Sequence, residues 1–260
     1  MEFRALVGVY DALLETASTL EKTRIIADVL EDTDRDRLPM VVQLLRGQVS
    51  SNWESIELGV SSSLAQEAIN TATGIDMDTI EEWWRESGDL GDAAMLAVEQ
   101  KTQQSLVSET LEVVDVYETL RSVSSFAGSG SQSRRVETIA GLLSNASPRE
   151  ARYIIRTVLG TMRLGVGDGI LRDAVANVFV SDSAEGRGLV QRSFEVTNDF
   201  SVVVEKAAAT GSDGLASLDI QVFRPVQPML AEKAESMESA IHDLSDPQGR
   251  VLLEMKYDGM

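Results

Sequence analysis

Ser147-Pro148-Arg149-Glu150-Ala151-Arg152-Tyr153-Ile154-Ile155-Arg156-Thr157-Val158-Leu159 is the stretch from which the fold can be read. A serine, a proline and then an acid three residues after the serine form a helix start. Ser147 serves as N-cap, Pro148 at the first helical position loses no needed N–H, and Glu150 reaches back to the cap amide. The helix opened there is expected to run to about Leu159. Upstream, Val136, Ile139, Leu142 and Leu143 recur at helical spacing and predict a helix over 134–145. Downstream, Ile170, Leu171, Ala174, Val175 and Val178 predict another after Gly169.

The same period extends outward. Phe3, Leu6, Val7, Tyr10 and Leu13 mark a first helix, Thr23–Leu30 a second, and Pro39 opens a third. Helices are also expected over 61–73, over 76–84, from Ala93 after the turn Gly88–Asp92, over 111–125, and in two pieces over 186–209. Beyond Gly211 the pattern changes. Pro225 and Pro228 punctuate an extended stretch, and Ile220–Phe223 lacks the helical period. The expected fold class is therefore mainly α, with a helical domain over 1–215 and the first extended strands of an α+β domain over 216–260. No fixed-period repeat is visible.

Composition narrows the function. There are no cysteines, which removes disulfides, thiolate metal sites and thiol catalysis. His242 is the only histidine, so no Ser-His-Asp set and no histidine metal site is expected. No run of about 18 apolar residues exists, and Met1-Glu2-Phe3-Arg4 does not open a secretory signal. A cytoplasmic protein without membrane association is expected. Net charge is −19, from 42 acids and 23 bases, and only five of those bases are lysine. Dense carboxylate with arginine favoured over lysine suits a high-salt cytoplasm, where salt screens the mutual repulsion. The charge is uneven: residues 134–172 carry seven arginines against three acids. A basic window inside an acidic chain points to a polyanionic partner.

Two loops bracket that window. Gly128-Ser129-Gly130-Ser131-Gln132-Ser133-Arg134-Arg135 and Arg163-Leu164-Gly165-Val166-Gly167-Asp168-Gly169 each place glycines before a helix. Exposed amides at the positive end of a helix suit a phosphate, and arginines add donors. By composition alone the first loop reads more readily as a flexible linker and the second also as a tight turn, and it is their bracketing of the one basic window that favours phosphate binding. Arg149, Arg152 and Arg156 can share one helix face, and Glu150 is the only acid in that segment. Trp53, Trp83 and Trp84 read as packing residues, His242 as a surface residue, and the acids of 28–36 as a solvated face.

Near the far end, Val251-Leu252-Leu253-Glu254-Met255 precedes Lys256-Tyr257-Asp258-Gly259. Lys-x-Asp-Gly is the pattern of a lysine that attacks a nucleotide α-phosphate, although a chain this long contains it by chance about one time in twenty. If 251–256 is a strand, Glu254 and Lys256 share a face. No P-loop is present.

Phe223-Arg224-Pro225-Val226-Gln227-Pro228-Met229-Leu230-Ala231 together with Glu254–Gly259 resembles the ATP-dependent DNA ligases of archaea and eukaryotes. Glu57-Leu58-Gly59-Val60, Gly88–Ala94 and the two glycine loops extend the resemblance over nearly the whole chain, in the family's order. It implies a helical domain that grips nicked double-stranded DNA, with Gly128, Ser129, Gly130, Ser131, Gln132, Arg134, Arg135, Arg152, Arg156, Arg163, Gly165 and Gly167 as candidate DNA contacts. It also implies Lys256 as the nucleophile that forms a lysyl-AMP, Glu254 as an ATP-binding residue, and ATP and Mg²⁺ as cofactors. The processes implied are replication, recombination and repair. A sliding clamp is a candidate partner, and a monomer is expected. Ser133 stands where the family often has lysine. The arginine expected after the motif, the later nucleotide motifs and an OB-fold domain are absent, so the chain is expected to be an N-terminal fragment, inactive alone. RNA ligases and capping guanylyltransferases share the lysine motif but not the helical domain. A non-enzymatic duplex-DNA-binding module and a helical scaffold without nucleic acid remain alternatives.

Overall fold

A computed structural model describes residues 1–54, 56–101, 110–227 and 234–255. Among these residues the regular elements are helices: α1 (Phe3–Glu15), α2 (Thr19–Glu31), α3 (Leu38–Leu45), α4 (Ser62–Thr73), α5 (Met77–Ser87), α6 (Leu90–Gln100), α7 (Val113–Val123), α8 (Ser131–Asn145), α9 (Pro148–Val158), α10 (Asp168–Phe179), α11 (Ala184–Thr197), α12 (Phe200–Ala216) and α13 (Met237–Leu244), with a 3₁₀ turn at Asn52–Glu54. The capping box forms as the sequence predicts. The Glu150 amide donates to Ser147 Oγ at 3.4 Å, and Glu150 Oε2 accepts from the Ser147 amide at 2.8 Å. The fold is mainly α.

Residues Met1–Gln227 form one compact unit. Its core gathers Leu6, Tyr10 and Leu13 of α1, Ile26 and Leu30 of α2, Leu44 of α3, Ile154 and Ile155 of α9, and Val203 and Val204 of α12. Helices pack in pairs, α6 on α9, α4 on α8, α2 on α10 and α3 on α12. The α6–α9 pair packs closely because α6 presents Gly91, Ala93, Ala94 and Ala97. A Cβ on Gly91 would lie 2.7 Å from the Arg152 carbonyl oxygen. That approach positions the arginines of α9 described below. The sequence places the start of α6 at Ala93. It begins three residues earlier because the Asp89 carboxylate caps the Gly91 amide at 2.7 Å.

The compact unit reaches beyond the last turn of α12. Gly211, at φ +60°, breaks that helix before it resumes to Ala216. The segment that follows is tied back to the unit. The Gln227 amide donates to the Glu195 carbonyl at 2.9 Å, Gln227 Nε2 donates to Asn198 at 2.7 Å, and the Arg224 guanidinium lies 4.7 Å from the centre of the Trp53 ring.

The second unit is Pro228–Met260. Its described part holds α13, capped by Ser236, and a turn in which Asp246 receives the amides of Gln248 and Arg250. The sequence reading missed α13, although Ser236 followed by Met237, Ala240, Ile241 and Leu244 carries the signal. The strand expected at Val251–Met255 does not form among the described residues, and Leu252, Leu253 and Met255 are exposed. A strand needs a neighbour for its N–H and C=O groups, and none of the described residues supplies one.

Candidate nucleic-acid interface

Both glycine loops lead into helix N-termini that lack side-chain caps. Gly130 is the N-cap of α8 and Gly167 the N-cap of α10, and neither can offer an oxygen to the first amides. By contrast α2, α4, α5, α6, α9, α11, α12 and α13 each carry a serine or aspartate cap that accepts a backbone N–H. Uncapped first-turn amides carry a partial positive charge and need an acceptor from outside the helix. Gly128 and Gly130 both sit at φ +77°, a left-handed conformation that disfavours other residues. Gly128, Ser129, Gly130 and Gln132 are exposed, and Ser131 is half-buried.

The arginines near these loops fall into two groups. Arg134 donates to the Ala127 carbonyl at 3.0 Å and rests over Phe126, while Arg135 donates to the Phe126 carbonyl at 2.7 Å. Both fasten the loop through neutral acceptors and so keep their charge uncompensated. Arg163 is exposed. Among the described residues none of these three has a carboxylate within 4.0 Å.

The arginines of α9 differ. Arg156 Nε lies 3.0 Å from Asp89 and its Nη2 3.2 Å from Asp92; Arg152 Nε lies 2.7 Å from the same Asp92 oxygen. Arg149 pairs with Asp11, which also accepts the Tyr153 hydroxyl. Arg156 is only 13% exposed. The sequence reading found Glu150 alone within this stripe. The partners come instead from α1 and the start of α6, sixty or more residues away, and are not visible locally.

The second loop is held from beneath. Lys22 Nζ donates to the Leu164 carbonyl at 2.6 Å, and Arg46 Nη2 meets the Asp168 carboxylate at 3.0 Å. The Arg46 guanidinium lies 5.7 Å and 5.3 Å from the ring centres of Phe194 and Phe200. Neither Lys22 nor Arg46 is a candidate on sequence grounds, because neither lies near the loop in the chain.

A groove of about 790 Å³ opens near these loops, although neither loop lines it. Its walls include Leu58–Ser61 and Thr157–Gly160. Arg135 abuts the first wall, since a Cβ on Gly59 would sit 3.3 Å from its guanidinium. The second wall runs directly into the Arg163 loop. Glu54 stands beside this region, salt-bridged to Arg121. Burial tends to raise its carboxyl pKa, but the hydrogen bonds from Arg121 and the Ser51 amide, with the Arg121 charge, bring it below the usual range.

The DNA ligase N terminus family model matches residues 2–176. The chain belongs to that family. The matched region spans α1 to within α10 and includes both glycine loops and the stapled α6–α9 pair. The chain is similar to proteins named DNA ligase. It is 41% identical over 259 residues to one from Thermococcus fumicolans, covering 100% of this chain and 45% of the relative. It is 42% identical over 258 residues to one from Methanothermobacter thermautotrophicus, covering 99% and 45%. With one from Nitrosopumilus maritimus it shares 35% over 259 residues, covering 100% and 43%. The chain thus spans a little under half the length of these ligases.

The nucleotide candidates lie, along the chain, beyond the residues that the family model matches. Lys256 lies outside the described residues, and Glu254 is exposed. Among the described residues no group of three acids or histidines converges as a metal site, and no helix is long and apolar enough to cross a membrane. His242 is 89% exposed beside Asp243, as the sequence predicts.

Proposed function

We propose that this chain is the duplex-gripping N-terminal part of an ATP-dependent DNA ligase that seals nicks in double-stranded DNA. One observation carries the reading. Two glycine-led helix N-termini lack side-chain caps, and each is accompanied by arginine that has no carboxylate partner among the described residues. Backbone amides and free guanidinium groups recognise phosphate oxygens without reading bases. Gly128–Gln132, Arg134, Arg135, Arg163, Gly165 and Gly167 are the proposed contacts. Arg152 and Arg156 are proposed to act chiefly through the α6–α9 packing that holds the groove wall, because Asp89 and Asp92 already pair with their charges.

The decisive experiment is titration of the 260-residue chain with nicked and intact duplexes of unrelated sequence over a salt series. Binding independent of sequence, with a salt slope that falls by about one for each phosphate-contacting arginine removed, supports the reading. Failure to bind any duplex, or binding that follows base sequence, ends it.

The nucleotide chemistry is assigned on the Lys256 motif and on family membership. Lys256 is the proposed nucleophile toward ATP, Glu254 a proposed nucleotide contact, and Mg²⁺ the proposed companion of the nucleotide phosphates. The described residues build no nucleotide pocket, so no reaction step is derived from them. The chain alone is proposed to be inactive in sealing. A monomer acting in the cytoplasm during replication, recombination and repair, with a sliding clamp as partner, completes the proposal. The acid excess favours a haloarchaeal source. The alternative is a stand-alone duplex-binding module; it would bind DNA equally well but would make Lys256 dispensable in any longer form.

A further inference from the structure

Lys22 lies in α2, 142 residues from Leu164, yet its ammonium reaches beneath the Arg163–Gly167 loop. The residue is 9% exposed, and Nζ donates to the Leu164 carbonyl at 2.6 Å. Among the described residues no carboxylate lies within 4.0 Å of it. A Cβ on Gly165 would lie 2.6 Å from Nζ, so the ammonium presses directly against the turn of the loop at its φ +66° glycine. A buried cation with only a neutral partner is costly to keep, and an apolar residue would fill the same space at lower cost. An ammonium has three donors, and only one has a partner here. Its charge lies just under the exposed amides that lead into α10.

We propose that Lys22 is a positioning residue for a phosphate of duplex DNA at the Arg163–Gly167 loop. It fixes the loop through Leu164 and contributes an uncompensated positive charge beneath the phosphate position. Arg46 holds the other side by neutralising Asp168, the one carboxylate at the α10 N-terminus. The loop thus presents amides over two buried cations from other helices, with the exposed Arg163 at its edge. The inference rests on the proposed duplex-binding role of that loop.

Two kinds of contribution, shape and charge, are separable. Lys22→Met removes both the hydrogen bond and the charge, whereas Lys22→Arg keeps both. The 260-residue chain is titrated with a nicked duplex by fluorescence anisotropy across a potassium chloride series. Lys22→Met is expected to weaken binding about tenfold or more and to lower the salt slope by about one, while Lys22→Arg keeps the slope. A purely structural lysine would change the melting temperature and leave the slope unchanged, and that result overturns the proposal.

Should Lys22→Met fold poorly, a double-mutant cycle with Gly165→Ala gives an independent answer. The strain of alanine at φ +66° is common to both backgrounds and cancels. The clash with Nζ exists only with Lys22 in place. The cycle is run on DNA affinity with Lys22→Gln as the partner change. Coupling of threefold or more supports the proposal, and additive effects overturn it. If the unaltered chain binds no duplex, the functional reading itself fails. If the chain binds and Arg163→Ala weakens it while Lys22→Met binds like the parent, only the Lys22 inference fails.

Discussion

Arg156→Ala separates a structural arginine from a DNA-contacting one. Arg156 sits 13% exposed between Asp89 and Asp92, whose side chains are 27% and 28% exposed. Its guanidinium also lies over the Tyr153 ring at 5.4 Å. Removing one member of a fully buried pair costs about 3–5 kcal/mol, and of a surface pair about 0–1 kcal/mol. The partial burial here places the loss between these, at about 2 kcal/mol, since two carboxylates then share a partly dry site with only Arg152 to offset them. For a unit of this size each kcal/mol moves the melting temperature by roughly 2–4 °C, so a fall of roughly 4–8 °C is expected by calorimetry or fluorescence. Asp92→Ala should cost a comparable amount, and the double variant less than the sum, because the two side chains share one interaction. Duplex binding measured well below the melting temperature should keep its salt slope. A variant as stable as the parent, with a slope reduced by about one, would refute this account and return Arg156 to the list of phosphate contacts.

Other outcomes follow from single contacts. Gly91→Ala should destabilise by roughly 1–3 kcal/mol in thermal melts, because the added Cβ meets the Arg152 carbonyl at 2.7 Å and backbone cannot yield cheaply. Gly167→Val should fold normally, since φ is −86° and nothing lies within 4 Å of a Cβ there, yet should weaken duplex binding even at molar salt by crowding the α10 amides; unchanged binding at molar salt would remove those amides from the interface. Glu54 has a carboxyl pKa below its unfolded value, so its contribution to stability is complete above the ordinary glutamate range and is lost as pH falls through that range and below; Glu54→Gln should flatten that acid limb in pH-dependent melts. In a longer ligase that includes this chain, Lys256→Ala should abolish formation of a protein–AMP adduct from labelled ATP while leaving duplex binding intact, and retained adduct would dismiss Lys256 as nucleophile.

Much of the fold was legible because helix signals are local. The capping box at Ser147–Glu150 and the apolar period of residues 134–145 and 170–178 each lie within a few turns of chain, and the structure holds helices at all three places. The edges were less legible. α6 starts early because an aspartate side chain caps it, and α13 went unread because its apolar residues lie within an acidic stretch. A strand at Val251–Met255 could not be judged locally at all, since a strand exists only with a neighbour.

By itself the sequence determined that the chain is helical over most of its length, that its positive charge gathers in one window, and that glycines and arginines precede two helices there. Backbone propensity and composition carry that information residue by residue. Only the tertiary structure decided which of those arginines are free. Asp89 and Asp92 reach α9 because Gly91 and the alanines of α6 let two helices approach closely, and Lys22 reaches the Arg163 loop because α2 packs on α10. Charge compensation depends on distance in space, and a partner 64 or 142 residues away leaves no mark in the local pattern.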